Sequence, residues 1–245
     1  MRKVFFTLIL NLFMINICLA DTTLTRYEEE CLSIIDKPIV KLKSSYGRLR
    51  YNFEKSNNFL QKETEKKFKE YGIELMQDFK PLGLTKIKES LEVNMEVEKV
   101  GVSHGYQCLY PKSIDVFLGY YLPVIYVSKE LKKGTCLYDV TLRHEQTHMQ
   151  IYIEALDYFL PELKEFSKTL IDKKGVKIIE SDSDAELHAK ILNDDYVSYI
   201  EEYVDKWRKT VEKEQLKLDS IENYIIESKI CEDIDLIEED SSDDF

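Results

Sequence analysis

Residues 135–161 read TCLYDVTLRHEQTHMQIYIEALDYFLP, and this stretch decides how the rest of the chain is interpreted. Its apolar side chains recur every three or four residues, at Tyr138, Leu142, Met149, Tyr152, Leu156 and Phe159. That period, bracketed by Gly134 and Pro161, predicts a helix of about 24 residues. His144 and His148 lie four residues apart within it, so their side chains differ in direction by only about 40°.

The five residues 144–148 form an HExxH motif in the middle of this predicted helix. Two imidazoles on one helix face can bind one metal ion, and Glu145 beside them can take a proton from metal-bound water. The alternative is an amphipathic helix whose histidines fall one turn apart by chance. A chain with four histidines contains HExxH by accident about once in a hundred. The motif therefore predicts a Zn²⁺ site with His144 and His148 as ligands and Glu145 as catalytic base.

The first twenty residues have the form of a signal peptide. Arg2 and Lys3 precede an apolar run over residues 4–13, and Ala20 offers a small residue at a cleavage position before Asp21. The run is too short for a comfortable membrane span. We therefore expect an exported protein, periplasmic or secreted, with no stable membrane insertion after cleavage. An uncleaved membrane anchor is the alternative.

Four cysteines remain after the signal peptide: Cys31, Cys108, Cys136 and Cys231. An even number is typical of disulfides in an oxidising compartment, and four cysteines allow three pairings. We favour Cys108–Cys136, which would brace the entry to the HExxH helix, and Cys31–Cys231, which would join the ends. Four free thiols are the alternative.

The charge of the chain excludes some partners. Its formal net charge is −12, and removal of Arg2 and Lys3 makes this −14. A negative protein without basic clusters is a poor binder of nucleic acid or anionic membrane. The expected partner, a peptide or protein substrate, follows from the HExxH motif instead. Residues 232–245 hold eight acids and no base, which predicts a disordered acidic tail after a single domain over residues 21–231. Calcium scavenging or blocking of a neighbour's cleft is the alternative role for this tail.

Strand patterns occupy the first half of the mature chain. Residues 39–42 and 48–51 are predicted as a hairpin, and residues 57–72 as a charged helix. Residues 91–98 alternate apolar and polar side chains, as a strand with one buried face does. Residues 114–128 are rich in β-branched and aromatic side chains, and Pro123 predicts an edge strand there. A peptide substrate can bind such an edge as an added strand.

The last part of the chain is helical. Residues 183–224 carry an apolar stripe, at Leu192, Tyr196, Tyr199, Tyr203, Trp207 and Val211. This predicts a core-packed long helix, or a helical hairpin broken near residues 217–220; a dimer seam is the alternative. The expected fold class is α+β: a small mixed or antiparallel sheet with an edge strand packed on the HExxH helix, followed by the long helix or hairpin.

The order of strand, edge strand, HExxH helix and later acidic helix resembles the zincin metallopeptidases. The match is specific over residues 143–149 and loose over residues 91–159. The chain looks most like an exported bacterial member of the gluzincin branch, the kind described as predicted zinc-dependent proteases. The resemblance implies that His144 and His148 are the first two zinc ligands, and that Glu145 is the general base.

The same resemblance points to a third ligand on a following helix, and Glu186 fits that place. The alternative for Glu186 is a capping box with Ser183, in which its side chain only bonds the helix start. Glu154 has the spacing of the metzincin branch, but on an unbroken helix it points about 240° away from His148. His188, Glu180 and His104 are further alternatives as ligands.

Together these features predict an exported zinc-dependent metallopeptidase that hydrolyses peptide bonds with zinc-activated water and Glu145 as general base. The oxyanion needs a donor, and the candidates are Tyr120, Tyr121, Tyr126 and His188. Two other functions stay open. One is a zinc amidase acting on cell-wall peptides, and the other is a non-catalytic binding or scaffold protein built on a zincin-like body.

Overall fold

The computed structural model describes residues 26–70 and 80–240, so the predicted signal peptide lies outside the described residues. This part of the chain is α+β, with a five-stranded mixed sheet and five α-helices, as the sequence predicts. In chain order the elements are α1 (Arg26–Ile34), β1 (Ile39–Ser45), β2 (Arg50–Asn52), α2 (Asn57–Glu70), β3 (Gly83–Val102), β4 (Tyr106–Val127), α3 (Cys136–Lys174), β5 (Lys177–Glu180), α4 (Ala185–Leu218) and α5 (Ile221–Asp240).

Two long antiparallel strands, β3 and β4, form the frame of the molecule. The predicted strand at residues 91–98 is confirmed and extends in both directions, to 20 residues. A short 3-10 turn over Ser103–Gly105 joins it to β4, and His104 takes a φ of 61° there. The alternating burial along β3 gives the sheet one face that packs on the helices and one that meets solvent.

Strand β4 is central, and the prediction that residues 114–128 form an edge strand is wrong. Strand β3 pairs along one side of β4, which leaves the other side to β1, β2 and β5. Pro123 is tolerated because the ladders are interrupted around it. Pairing with β1 ends at Gly119, pairing with β2 begins at Val124, and the β3 register shifts between Lys86 and Lys88. The backbone N–H that proline lacks is therefore not required.

The predicted hairpin over residues 39–51 is also wrong, because β1 and β2 each pair in parallel with β4 rather than with each other. The connection between them runs close to the interruption in β4. Gly47 has a φ of 67°, and a Cβ there would lie 2.7 Å from a ring carbon of Pro123. Only glycine fits this backbone conformation and close approach without strain.

Helix α3 is longer than predicted: it starts after the capping residue Thr135 and continues through Pro161 to Lys174. A proline inside a helix costs about 3 kcal/mol. The helix continues because its buried face does, through Phe159, Leu163 and Leu170. This face packs against α4, where Phe159 stacks on Trp207 with ring centroids 4.8 Å apart.

The predicted break in the C-terminal helix is confirmed, since α4 ends at Leu218 and α5 begins at Ile221. The Asn223 side chain donates a hydrogen bond of 2.9 Å to the Leu218 carbonyl and closes this corner. The acidic segment predicted to be disordered is helical up to Asp240, and residues 241–245 lie outside the described residues. A disulfide at Cys231 anchors the chain just before it, and the glutamates favour a helix.

Two disulfides join the elements, and both predicted pairings are wrong. Cys31 of α1 pairs with Cys108 of β4, and Cys136 at the start of α3 pairs with Cys231 of α5. The long β3–β4 pair separates these places: Cys108 lies near the turn that ends it, whereas Cys136 follows its other end. Within residues 26–70 and 80–240, no helix has the length and apolar character that would let it cross a bilayer.

Candidate metal centre

Three side chains from two parts of the chain meet where α3 passes the break between α4 and α5. His144 and His148 are both 5 % exposed and project from one face of α3, as their spacing predicts. Asp219 lies at the break itself. Its carboxylate oxygen Oδ1 is 3.2 Å from His144 Nε2 and 2.9 Å from His148 Nε2, and the two Nε2 atoms are 3.2 Å apart.

The size of this triangle suits a metal ion. Zinc bound at about 2.0–2.1 Å by tetrahedral ligands has neighbouring ligand atoms about 3.3–3.4 Å apart. The three distances are close to that value, so the atoms form nearly one face of such a tetrahedron. A buried group of two imidazoles and one carboxylate can thus hold a metal ion and leave a further coordination position free.

Each of these three side chains is oriented by a neighbour. Glu227 of α5 lies 2.9 Å from His144 Nδ1. The Gln215 side-chain oxygen contacts His148 Nδ1, and its amide donates a 3.1 Å hydrogen bond to the His148 carbonyl. The Tyr224 hydroxyl donates to Asp219 Oδ1 at 3.2 Å. Such contacts fix the ring orientation and tautomer of metal-binding histidines.

Glu145 is buried beside the two histidines and is held by β3. The Thr85 hydroxyl lies 2.8 Å from a carboxylate oxygen of Glu145 and 2.8 Å from its carbonyl oxygen. Burial raises the pKa of Glu145, against the lowering effect of the two imidazoles. On the other side the Glu145 carboxylate rests on Gly83, where a Cβ would approach its Oε1 to 2.5 Å. The position of this carboxylate therefore requires that residue 83 has no side chain.

The charges of the metal-free cluster favour a protonated imidazole. Burial opposes a positive charge on His144, but the hydrogen bond to Asp219 and two nearby glutamates outweigh it and raise the pKa of His144 to about 9. The hydrogen bonds from both imidazoles hold the pKa of Asp219 below its ordinary value, although burial opposes this. A metal ion would replace that proton as the positive charge at the centre.

A cavity of about 30 Å³ lies in front of these groups, and Glu145, His148, Asp219 and Tyr224 contribute to its walls. Such a volume holds about one water molecule. Thr64 of α2 also lines it, and within the described part of the chain the buried Thr64 hydroxyl has no hydrogen-bond partner. An unpaired buried hydroxyl is costly, so this cavity is suited to a polar occupant.

The structure does not bring Glu186 into this cluster. Glu186 lies in the first turn of α4, whose other end is next to Asp219. A helix rises about 1.5 Å per residue, so roughly 50 Å separates the two acids. The expected capping box with Ser183 does not form either. The residue that caps α4 is Asp184, whose side chain accepts a hydrogen bond from the Leu187 N–H. His188, two residues further along α4, is remote for the same reason.

The other alternative ligands are remote or face solvent as well. Glu180 on β5 pairs with Tyr106, and His104 lies in the turn before it, so both are at the opposite end of β4. Glu154 accepts a hydrogen bond from Gln150 on an exposed part of α3. Asp219 was missed because it lies 71 residues after His148 in no recognised motif. The one feature of the sequence that pointed to Asp219 was its position, as an acid, within the predicted helix break.

The candidate oxyanion donors also lie outside the walls of the small cavity. The Tyr120 hydroxyl donates to the Tyr152 carbonyl at 3.2 Å, Tyr121 is exposed, and the Tyr126 ring contacts Phe59. The hydroxyls of Thr64 and Tyr224 belong to residues that line the cavity instead.

No protein-family model matches this chain, and neither a curated protein nor a solved structure does. The interpretation of the site therefore depends on its own geometry.

Proposed function

We propose that this protein is an exported zinc-dependent metallopeptidase. One observation carries the proposal: two members of the His144–His148–Asp219 triangle, His148 and Asp219, line the same small cavity as the buried Glu145. A purely structural metal site does not need an acid beside it. The triangle and Glu145 together provide what a metal-dependent hydrolase needs. The three ligands leave a coordination position free, and the base lies next to it.

Zinc fits the donor set together with the neighbouring Glu145: iron(II) accepts the same three donors, but a carboxylate base beside the free position is the arrangement of a zinc hydrolase. Two imidazole nitrogens and one carboxylate oxygen suit zinc, whereas magnesium and calcium prefer oxygen ligands throughout. The buried triangle has the dimensions of a four-coordinate site. Bound zinc supplies positive charge that acidifies a water molecule and polarises a carbonyl oxygen.

The residues of the chain then carry the proton transfers. Glu145 takes a proton from the attacking water and passes it to the leaving amine. A carboxyl placed beside both reacting groups can accept the proton and then give it up again. Thr85 keeps the carboxylate in place. The Thr64 hydroxyl, which lines the cavity and has no hydrogen-bond partner among the described residues, is the donor available to the oxygen that gains negative charge.

Strand β3 is the expected binding edge for the peptide. Its residues Gly83, Leu84 and Thr85 line the same cavity as Glu145, and among the described residues no strand pairs with its outer side. A peptide added there as a further strand would bring one of its carbonyl groups to the centre. The edge strand expected to bind the peptide is therefore β3, and not residues 114–128.

Export is supported by the signal-peptide pattern of residues 1–20 together with the two disulfides. Disulfides of this kind persist outside the reducing cytosol. The protein is therefore proposed to act in the periplasm or outside the cell.

The Glu145→Gln variant tests the function. Glutamine is close in shape to glutamate but cannot take up the proton, so we expect zinc to stay bound in a 1:1 ratio while peptide hydrolysis falls by about 100- to 10,000-fold. Metal content and cleavage of unfolded casein by the purified mature chain measure the two effects. Gln146→Glu, on the exposed side of the same helix, is the matched control and should retain both.

Other outcomes would separate the rival functions. Bound zinc without cleavage of any peptide would support the non-catalytic binding protein. Cleavage of cell-wall peptides but not casein would support the amidase. Full activity of Glu145→Gln would remove Glu145 from the proposed role.

A further inference from the structure

A second, larger cavity opens beside the metal centre. It has a volume of about 720 Å³, within the range of ligand-binding pockets. Residues 84–89 of β3 form part of its wall, α2 contributes Lys66 and Lys67, and α4 contributes Trp207, Arg208 and Val211. We call it the lysine groove. Lys67, Leu84 and Thr85 line both the lysine groove and the small cavity in front of Glu145, so the two are neighbours.

The lysine groove is positively charged, although the protein as a whole carries −12. Five basic and three acidic side chains line it. Two of the acids are neutralised locally, since Lys86 lies 2.5 Å from Glu63 and Arg208 lies 2.6 Å from Glu89. Four charges remain: Lys66, Lys67, Lys88 and Glu212. The net surplus is therefore two positive charges.

The surplus charge is available to a ligand. Among the described residues, the ion pairs of the groove involve Lys86 and Arg208 rather than Lys67 or Lys88. Lys67 also lies near enough to the Asp219 carboxylate for their opposite charges to attract. Lys88 is exposed on β3, and Lys67 is half-buried at the junction of the two cavities. The wall of the groove also contains the apolar side chains of Leu84, Ile87 and Trp207. An apolar wall with cations at its rim suits a short aliphatic chain that ends in a carboxylate.

We propose that the lysine groove is a specificity subsite that binds an acidic side chain of the peptide substrate, one or two residues from the bond that is cleaved, through Lys67 and Lys88. This inference rests on the proposed peptidase function and names its substrate class. A peptide strand on the outer side of β3 would place alternate side chains beside β3 side chains on the same face. Glutamate or aspartate in the peptide would then pair with Lys88, and Lys67 would hold the carboxylate close to the centre.

Matched peptides test the subsite. We would use quenched fluorescent octapeptides that differ at one position near the cleaved bond, with Glu, Gln or Lys there. The two proposed ion pairs are partly exposed, and each such pair contributes up to about a fivefold change in affinity. We therefore expect wild-type kcat/KM to be about 2- to 25-fold higher for the Glu peptide than for the Gln peptide, and lowest for the Lys peptide. High salt should reduce this preference.

Variants of Lys67 and Lys88 provide a second test of the subsite. Lys67→Gln/Lys88→Gln should remove the preference for Glu over Gln, and Lys67→Glu/Lys88→Glu should reverse it in favour of the Lys peptide. Lys62→Gln is the matched control, because Lys62 is an exposed lysine of α2 that does not line the groove, and it should keep the wild-type preference. Thermal melting of each variant checks that it is folded.

Binding to zinc-loaded Glu145→Gln separates the subsite from the peptidase function. Fluorescence anisotropy with the same labelled peptides does not require cleavage. Preferred binding of the Glu peptide without hydrolysis by the wild type would keep the subsite and reject the function. Hydrolysis with equal kcat/KM for the Glu and Gln peptides would keep the function and overturn the subsite. Equal binding of all three peptides to Glu145→Gln would also overturn it.

Discussion

The Asp219 carboxylate closes a ligand set whose other two members are one helical turn apart on α3. Its oxygen lies within 3.2 Å of both imidazoles, whereas Glu186 lies at the far end of α4. We expect Asp219→Ala to weaken zinc binding by more than the 10- to 100-fold that loss of a supporting contact causes. Glu186→Ala should bind zinc like the wild type.

Competition with a zinc chelator measures both affinities in the same titration. Asp219→Asn serves as a second variant, because it keeps the size of the side chain and removes only its charge. Equal zinc affinity of Asp219→Ala and the wild type, with loss in Glu186→Ala, would reject the triangle as the metal site.

The glycine at residue 83 fixes the position of the Glu145 carboxylate, the proposed general base. The nearest atoms to an added Cβ all belong to the Glu145 side chain, at 2.5–2.9 Å, so alanine there must displace it. We expect Gly83→Ala to lower kcat by about 100-fold, the cost of a misplacement of about 1 Å. Zinc content should not change. Gly101→Ala is the matched control, since it lies on the same strand with nothing within 4 Å of its Cβ, and a similar loss of kcat there would contradict the explanation.

The residues that the sequence identified are those whose geometry is local. His144, Glu145 and His148 share one helix, so their mutual arrangement follows from helical periodicity. Asp219, Gln215 and Tyr224 reach the site only through the packing of α4 and α5 on α3. That packing depends on contacts about 70 residues apart in sequence, for which the chain offers no repeating pattern.

Helix α5 stands over the metal centre and is covalently attached to α3. It supplies Tyr224 and Glu227 to the ligands, and Cys231 joins it to Cys136 at the start of the HExxH helix. We expect Cys136→Ser/Cys231→Ser to lose about 2–4 kcal/mol of stability. Because α5 holds the supporting groups, zinc affinity should also fall by about 10- to 100-fold.

The other disulfide provides the comparison. Cys31→Ser/Cys108→Ser should lose stability through the same chain-entropy effect. It should keep zinc affinity, because Cys108 lies near the distant turn of the β3–β4 pair. Urea unfolding and chelator competition measure the two quantities. Similar zinc affinities of the two double variants would show that α5 is held in place without its disulfide.

The helices and strands were easier to predict from the sequence than the way in which they pair with one another. Alternation identified the strand around residues 91–98, and the charged corner near residue 219 marked the helix break. Strand order was not predicted, because composition does not say which strand pairs with which. Pro123 indicated an edge but lies in the central strand, where an interrupted ladder tolerates it. The cysteine pairing failed for the same reason, since it follows from strand order.

The whole molecule has two ends, set by the length of the β3–β4 pair. Twenty residues of β3 span roughly 65 Å at about 3.3 Å per residue. Residues 83–85 at one end contact Glu145 beside the candidate metal centre, and residues 100–102 at the other pack near α1 and its disulfide. A metal ion bound by His144, His148 and Asp219 would link α3 to the α4–α5 corner, and so it would constrain the first end alone.

Hydrogen exchange measured with and without zinc should show that only one end of the molecule responds to the metal. We expect zinc to slow amide exchange in residues 221–232 of α5 and in residues 83–86 of β3, because metal binding stabilises the arrangement that these segments share. Exchange in α1 and in the turn at residues 103–105 should not change. Asp219→Ala should show no zinc effect at either end, which separates metal binding at the centre from binding to surface acids. Equal slowing along the whole chain would mean that zinc stabilises the fold globally, and slowing confined to the far end would place the metal elsewhere.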